Sequence, residues 1–190
     1  METFERLPAA AAWRHETARE GFEVVFFTAP GDGIRIAGET SAVEDGEPWS
    51  IGYEIELDAG WVTRRARVRG RSRSGARETV LEADGDGTWH VDGAPAPQLD
   101  GCIDVDLESS ALTNAFPIHR LRLDPGVATA APAAWVRAPG LGAERLEQSY
   151  RRLDARRFDY ASPRFGFRCE LVYDAAGLVT GYPGIAQRAH

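Results

Sequence analysis

The chain has no lysine: all 22 of its basic residues are arginine, Met1 is its sole methionine, and Cys102 and Cys169 are its only thiols. Two cysteines exclude a disulfide framework. Both lie in runs that alternate like strands; one disulfide between them stays open, and the leading reading is two buried free thiols. No apolar run approaches the roughly 20 residues needed to cross a bilayer; the longest clear one is Val24 to Phe27. The N-terminus, METFERLPAAAAWRHE, places acids ahead of a short alanine stretch, which fits no secretion signal. Cytoplasmic residence is therefore the expectation. Concentrated positive charge is missing as well. At a net charge of −7 and a pI near 5.2, the chain has no general field for nucleic acid or anionic membranes.

Catalytic signatures are equally scarce. His15, His90, His119 and His190 show neither HxH nor HExxH spacing, so no zinc site is expected. GxSxG, P-loop and GxGxxG patterns are absent, and nothing in the sequence around Cys102 would lower a thiol pKa. Asp84-Gly85-Asp86-Gly87 has the look of a calcium loop, but its twelfth position is Pro95, where a bidentate glutamate is needed. It reads as a hairpin turn. No catalytic residue, metal or cofactor is assigned.

What the chain does have is period two. Trp49, Ile51, Tyr53, Ile55 and Leu57 alternate with Ser50, Gly52, Glu54 and Glu56, the pattern of a half-buried strand. Phe165, Phe167, Cys169, Leu171 and Tyr173 repeat it. Turn signals such as Pro30-Gly31-Asp32-Gly33, Asp58-Ala59-Gly60 and Asp174-Ala175-Ala176-Gly177 separate the runs, implying a meander of short antiparallel strands. Asp45 to Pro48, Arg69 to Ala76 and Gly93 to Pro97 read as loops. Helical signal is sparse: Leu146, Tyr150 and Leu153 have helical spacing, yet the aromatic residues that follow also suit strands. At 190 residues the simplest organisation is a single domain spanning 1–190.

The segment Leu99 to Leu123 concentrates the remaining chemistry. As a strand it would place Leu99, Gly101, Ile103, Val105 and Leu107 on one face, and Asp100, Cys102, Asp104 and Asp106 on the other. Ser109 or Ser110 can cap a helical turn, and Pro117 biases Phe116 away from helix, so an extended stretch is expected through Leu123. Arg65, Arg67, Arg69, Arg71 and Arg73 would share a face if extended, and could pair across strands with the aspartates. The same aspartates could instead contact a polar ligand or act as a general acid and base. Trp13, Trp49, Trp61, Trp89 and Trp135 read mainly as core, with some free to line a pocket. A curved sheet with this little helix must close on itself or leave an apolar concavity.

Gly87-Thr-Trp89-His-Val91-Asp92-Gly93, Leu99-Asp-Gly-Cys102-Ile-Asp104-Val-Asp106-Leu107, Thr113-Asn114 and Phe116-Pro117-Ile118-His119-Arg120-Leu121 together resemble the bacterial putative glycolipid-binding family. Gln148-Ser-Tyr150, Tyr160-Ala-Ser162, Asp174, Gly177-Leu178-Val179 and Tyr182-Pro183-Gly184 extend the resemblance over nearly the whole chain, with Trp13 and Gly38 as early landmarks. Ser110-Ala111 and His119-Arg120 depart from it, standing where the family pattern has Thr-Pro and Arg-Arg. The resemblance implies a mainly β (α+β) fold, a spiral β-roll in which a long curled antiparallel sheet of many short strands wraps around a single α-helix, as a homodimer. It also implies a non-enzymatic protein that binds a glycolipid or other lipid, acyl chains in an apolar concavity and the polar head at contacts drawn from Trp89, Asp104, Asp106, Asn114, His119 and Arg120. A cationic His119 would then make affinity fall as pH rises through its pKa. Two alternatives stay open: a hydrolase using Asp104 or Asp106, and a dimeric interaction scaffold without a ligand.

Overall fold

The computed structural model describes residues 4–17 and 19–189; Met1 and His190 lie outside them. Short hairpins carry the chain through β1 (Ala10–His15), β2 (Glu20–Thr28), β3 (Ile34–Glu44), β4 (Glu47–Leu57), β5 (Thr63–Ser72) and β6 (Gly75–Ala83) to the brief β7 (Trp89–Val91) and β8 (Ala94–Pro95). It then passes through β9 (Asp104–Leu107), the helix α1 (Ala115–Arg120), β10 (Ala128–Ala130), β11 (Ala133–Val136) and β12 (Ala143–Leu146). A second run of hairpins follows in β13 (Ser149–Arg152), β14 (Arg157–Ser162), β15 (Phe167–Tyr173), β16 (Val179–Tyr182) and β17 (Ala186–Ala189).

β17 pairs antiparallel with β1 and joins the two runs into one 14-stranded sheet, ordered β10-β13-β14-β15-β16-β17-β1-β2-β3-β4-β5-β6-β7-β8. Its end strands β10 and β8 do not meet, so the sheet curls without closing into a barrel. A flat sheet of this width would leave one apolar face wet, and curling buries that face. The inward side carries Ile36, Ile51, Tyr53, Ile55, Val68 and Leu81 from one run, and Tyr150, Phe158, Tyr160, Leu171 and Tyr173 from the other.

The segment between the two runs fills the roll. β9 pairs in parallel with β11, and β11 pairs antiparallel with β12, making a separate three-stranded sheet. Every residue of β9 and β11 is buried, as are residues 109–118. The surrounding sheet grips this plug by hydrogen bonds. Thr40 Oγ1 on β3 donates to Ser109 O at 2.9 Å, Val105 N donates to Thr63 Oγ1 on β5 at 3.0 Å, and Trp89 Nε1 on β7 donates to Cys102 O at 2.8 Å. From the far side, Tyr150 Oη donates to Asn114 Oδ1 at 2.9 Å and Tyr173 Oη to Asn114 O at 3.1 Å.

Glu23 is the centre of this grip. Its neighbours in register on β2, Val25 and Phe27, point inward, so the strand's alternation carries a carboxylate into the core. Glu23 accepts from Ala111 N at 2.9 Å, from Tyr53 Oη at 2.5 Å and from the Ser110 hydroxyl. Burial raises its pKa, and the three donors pull against that rise. Gly38 makes the arrangement possible: a Cβ there would strike the Tyr53 ring, which could not then reach Glu23.

Several expectations from the sequence are corrected here. Residues 99–103 are not strand; a 3-10 turn over Pro97–Leu99 leads into an irregular turn. β9 has no solvent face, so the acidic row does not pair with the arginine row. Arg65, Arg67, Arg69 and Arg73 project outward and meet Glu82, Glu78, Glu54 and Glu47, the first directly across the strand pair and the next two on the diagonal, two residues off register. Pro117 lies inside the helix rather than ending it. A 3-10 turn over Leu112–Asn114 precedes α1, and Pro117 sits in the first helical turn, where its missing N–H costs nothing. Ser110 Oγ accepts from Leu112 N at 3.1 Å at the start of that turn. Residues 69–76 are a tight hairpin between β5 and β6, Glu47 and Pro48 open β4, and Leu146 and Tyr150 are in strands. Cys102 is buried and Cys169 half-buried, both as free thiols, and burial pushes them up to about 11 and about 12.

Candidate functional site

One end of the roll opens into a cleft of about 1420 Å³, larger than the roughly 300–1,000 Å³ typical of small-molecule sites. Its apolar lining comes from three directions. Phe4, Leu7 and Pro8 cross it from the N-terminal segment, Phe27, Ile34 and Trp61 come from the first run of strands, and Ile118, Leu121, Leu123 and Phe158 complete it.

Trp61 is presented by an unusual turn. Asp58 Oδ1 accepts from Gly60 N at 2.8 Å and Val62 N at 3.0 Å, and Trp61 N donates to Asp58 O at 3.0 Å. This holds Trp61 at φ 64°, a left-handed conformation that bulky residues rarely adopt. The indole lies flat on the His119 ring, with centroids 3.6 Å apart and planes 8° apart. Phe4 also packs on His119, its ring centroid 4.3 Å away and tilted by 46°. Behind the imidazole is Gly177 at φ +72°, where a Cβ would collide with both His119 and Phe4; only glycine fits there.

His119 Nε2 is 3.1 Å from Ala176 O. Burial lowers the imidazole pKa to about 4, against the backbone hydrogen bonds at Ala176 and Gly177 that raise it. His119 is therefore neutral at physiological pH, and the expectation that it is a cation titrating near neutrality is corrected. Packed against two aromatic rings, it is a wall of the cleft.

Arg120 also lines the cleft, but its guanidinium is turned inward onto Asp104. Nε to Oδ1 is 2.8 Å and Nη2 to Oδ2 is 2.6 Å, a bidentate pair with Asp104 only 1% exposed. Burial raises the Asp104 pKa and Arg120 opposes it. Asp106 sits two residues on, its Oδ1 accepting from the Thr113 hydroxyl at 2.7 Å. Burial, with added repulsion from Asp104 and Glu108, raises Asp106 to about 6. Thus, of the six residues expected to contact a ligand, the structure brings His119 and Arg120 to the cleft. Trp89, Asp104, Asp106 and Asn114 are buried within or against the plug and do not line it.

The raised pKa of Asp106 has a measurable consequence. The folded state binds its proton between the unfolded carboxyl value of 3.8 and about 6, so this group makes the fold less stable as pH rises through that window. Replacing Asp106 with asparagine should raise stability relative to the native chain by about 2 kcal/mol more at pH 8 than at pH 4. Urea unfolding of both proteins at the two pH values measures it; parallel stabilities would show that Asp106 is not desolvated as described.

The mouth of the cleft is basic: Arg6, Arg120, Arg122, Arg152 and Arg156 line it against Glu5, Asp124 and Asp174. Nothing local in the sequence marks Arg6, Arg152, Arg156 or Phe4 as site residues, Arg122 lies unremarkably within the Leu99–Leu123 segment, and Trp61 is one of five tryptophans. The one local signal was the Asp58-Ala59-Gly60 turn directly before Trp61. The rest come from segments far apart in sequence.

The sequence pattern of the family described as Putative glycolipid-binding matches residues 10–188. The chain belongs to that family. No curated protein matches it. Among solved structures it is similar to a DUF1089 family protein from Pseudomonas aeruginosa, known from a crystal structure, at 33% identity and a TM-score of 0.79, over 100% of this chain and 99% of that one. The stretch Phe116 to Leu121, which carries the resemblance to the Putative glycolipid-binding family, is the end of α1 where the plug emerges into the cleft. Asp174 and Gly177, from a second matching stretch, build the turn behind His119: Asp174 Oδ1 accepts from Ala176 N and Leu178 N, both at 2.9 Å. Two motifs distant in sequence thus converge on one wall.

Proposed function

We propose that the protein binds an amphipathic ligand of the lipid class in this cleft, without chemical turnover. The carrying observation is an open cleft of about 1420 Å³ whose depth is aromatic and aliphatic and whose mouth is arginine-rich, a division that matches an acyl chain and a polar head. The family description supports the same ligand class. The hydrolase alternative gains nothing from the structure, because Asp104 is bound to Arg120, Asp106 to Thr113, and neither faces the cleft. Among the described residues no helix is long and apolar enough to cross a membrane. For the homodimer, the outer faces of β2 and β3 offer Phe22, Phe26 and Val43 as exposed apolar contacts; light scattering of Phe26→Glu against the native chain tests that seat.

Native mass spectrometry of protein gently isolated from its host should show a bound lipid mass. Ala9 is exposed and lines the cleft, so Ala9→Trp should fill the mouth without disturbing the core. The variant is expected to lose the lipid mass while keeping the native melting temperature. A clean unliganded mass for the native protein, or undiminished lipid in Ala9→Trp, would overturn the proposal.

A further inference from the structure

The mouth of the cleft differs from the rest of the surface in how its arginines are used. On the outer face of the sheet, Arg35, Arg65, Arg67, Arg69 and Arg73 are each met by a glutamate. At the cleft, Arg120 is committed to Asp104, and Asp174 is held by its own turn with Arg188 3.8 Å away. Arg6, Arg122 and Arg156 are exposed, line the same opening, and have no carboxylate partner among the described residues. The acids left facing them are Glu5 and Asp124, both exposed. A chain of net charge −7 thus gathers five arginines against three acids at this cleft, directly above an apolar wall.

From this placement, and resting on the lipid-class reading of the cleft, we propose that the ligand's head is anionic: a phosphate or carboxylate carried on an acyl chain and held by Arg6, Arg122 and Arg156. Guanidinium groups suit such oxyanions because their fork of N–H donors matches two oxygens at once. A neutral sugar head would leave the three charges unanswered. The chain portion lies below, against Trp61, Leu121 and Phe158.

The test compares dodecyl phosphate, dodecyl maltoside and inorganic phosphate by isothermal titration, each amphiphile below its micellar concentration. Dodecyl phosphate is expected to bind at least about tenfold tighter than dodecyl maltoside, and to weaken as salt is added. The double variant Arg122→Gln/Arg156→Gln, both sites being exposed, should keep the native melting temperature and lose that preference, its affinity for dodecyl phosphate falling to that for dodecyl maltoside. Equal affinity for the two amphiphiles, or an unchanged preference in the double variant, would overturn the anionic head and leave the cleft reading standing. Failure of both amphiphiles to bind would overturn the cleft reading itself. Inorganic phosphate binding as tightly as dodecyl phosphate would show a free-anion site and overturn the amphiphile.

Discussion

Replacing Glu23 with alanine should cost about 3 kcal/mol or more, a large share of the 5–15 kcal/mol that holds a typical domain together. Three donors converge on that carboxylate, Tyr53 Oη, Ser110 Oγ and Ala111 N, and all three lie deep in the protein. Alanine leaves each without an acceptor, and an unpaired buried donor costs about 1–3 kcal/mol. The loss is cushioned because the native carboxylate is itself strained by burial, as its raised pKa shows. Glutamine should do far better, at about 1 kcal/mol. Its carbonyl can accept from Ala111 N and its amide can donate to Tyr53 Oη, which rotates to donate to Ser110 Oγ, 3.3 Å away, so that only the Ser110 proton loses its acceptor. Urea unfolding of the two variants decides the matter. If Glu23→Ala were as stable as Glu23→Gln, the carboxylate would not be what fastens the plug to the sheet.

Glu23 also shows where sequence reading ran out. The outer architecture was legible because a sheet with one buried face writes its alternation into the chain, as Trp49 to Leu57 does in β4, whose apolar members are all buried. The plug was misread because β9 is buried on both sides: with no solvent face, the alternation of Val105 and Leu107 with Asp104 and Asp106 no longer reports direction. Pro117 misled for a related reason, since the preceding 3-10 turn shifts the helix start so that a proline falls where no N–H is required. At the cleft, Pro117 to Leu121 and Gly177 are visible as separate motifs, but their meeting is not. Phe4, Trp61 and Gly177 meet His119 from three separate segments, and only the curl of the sheet brings them together. The neutral state of His119 follows from that enclosure, which no local sequence records.

Removing the Arg120 guanidinium is expected to be the other severe change, about 3–5 kcal/mol at pH 8 for Arg120→Ala. Asp104 is 1% exposed and the bidentate contact to Arg120 is its ion pair, so alanine strands a carboxylate in the core. The sign of the pH dependence follows. With the opposing cation gone, burial raises the Asp104 pKa further above its unfolded value of 3.8. A folded-state acid with a raised pKa binds its proton more tightly than the unfolded chain, and the fold gains stability as pH falls through that raised value. The deficit of Arg120→Ala should therefore be largest at pH 8 and shrink markedly toward pH 5. Asp104→Leu placed on top of Arg120→Ala removes the stranded charge, and the double variant should recover much of the loss and lose this pH dependence. Urea unfolding of both variants at the two pH values provides the comparison. A deficit below about 1 kcal/mol at pH 8 would mean the pair is solvated like a surface bridge. Because Arg120 ends the helix whose last turn forms the cleft wall, the single variant should also loosen that wall, and lipid retention in native mass spectra should fall with stability and return in the double variant.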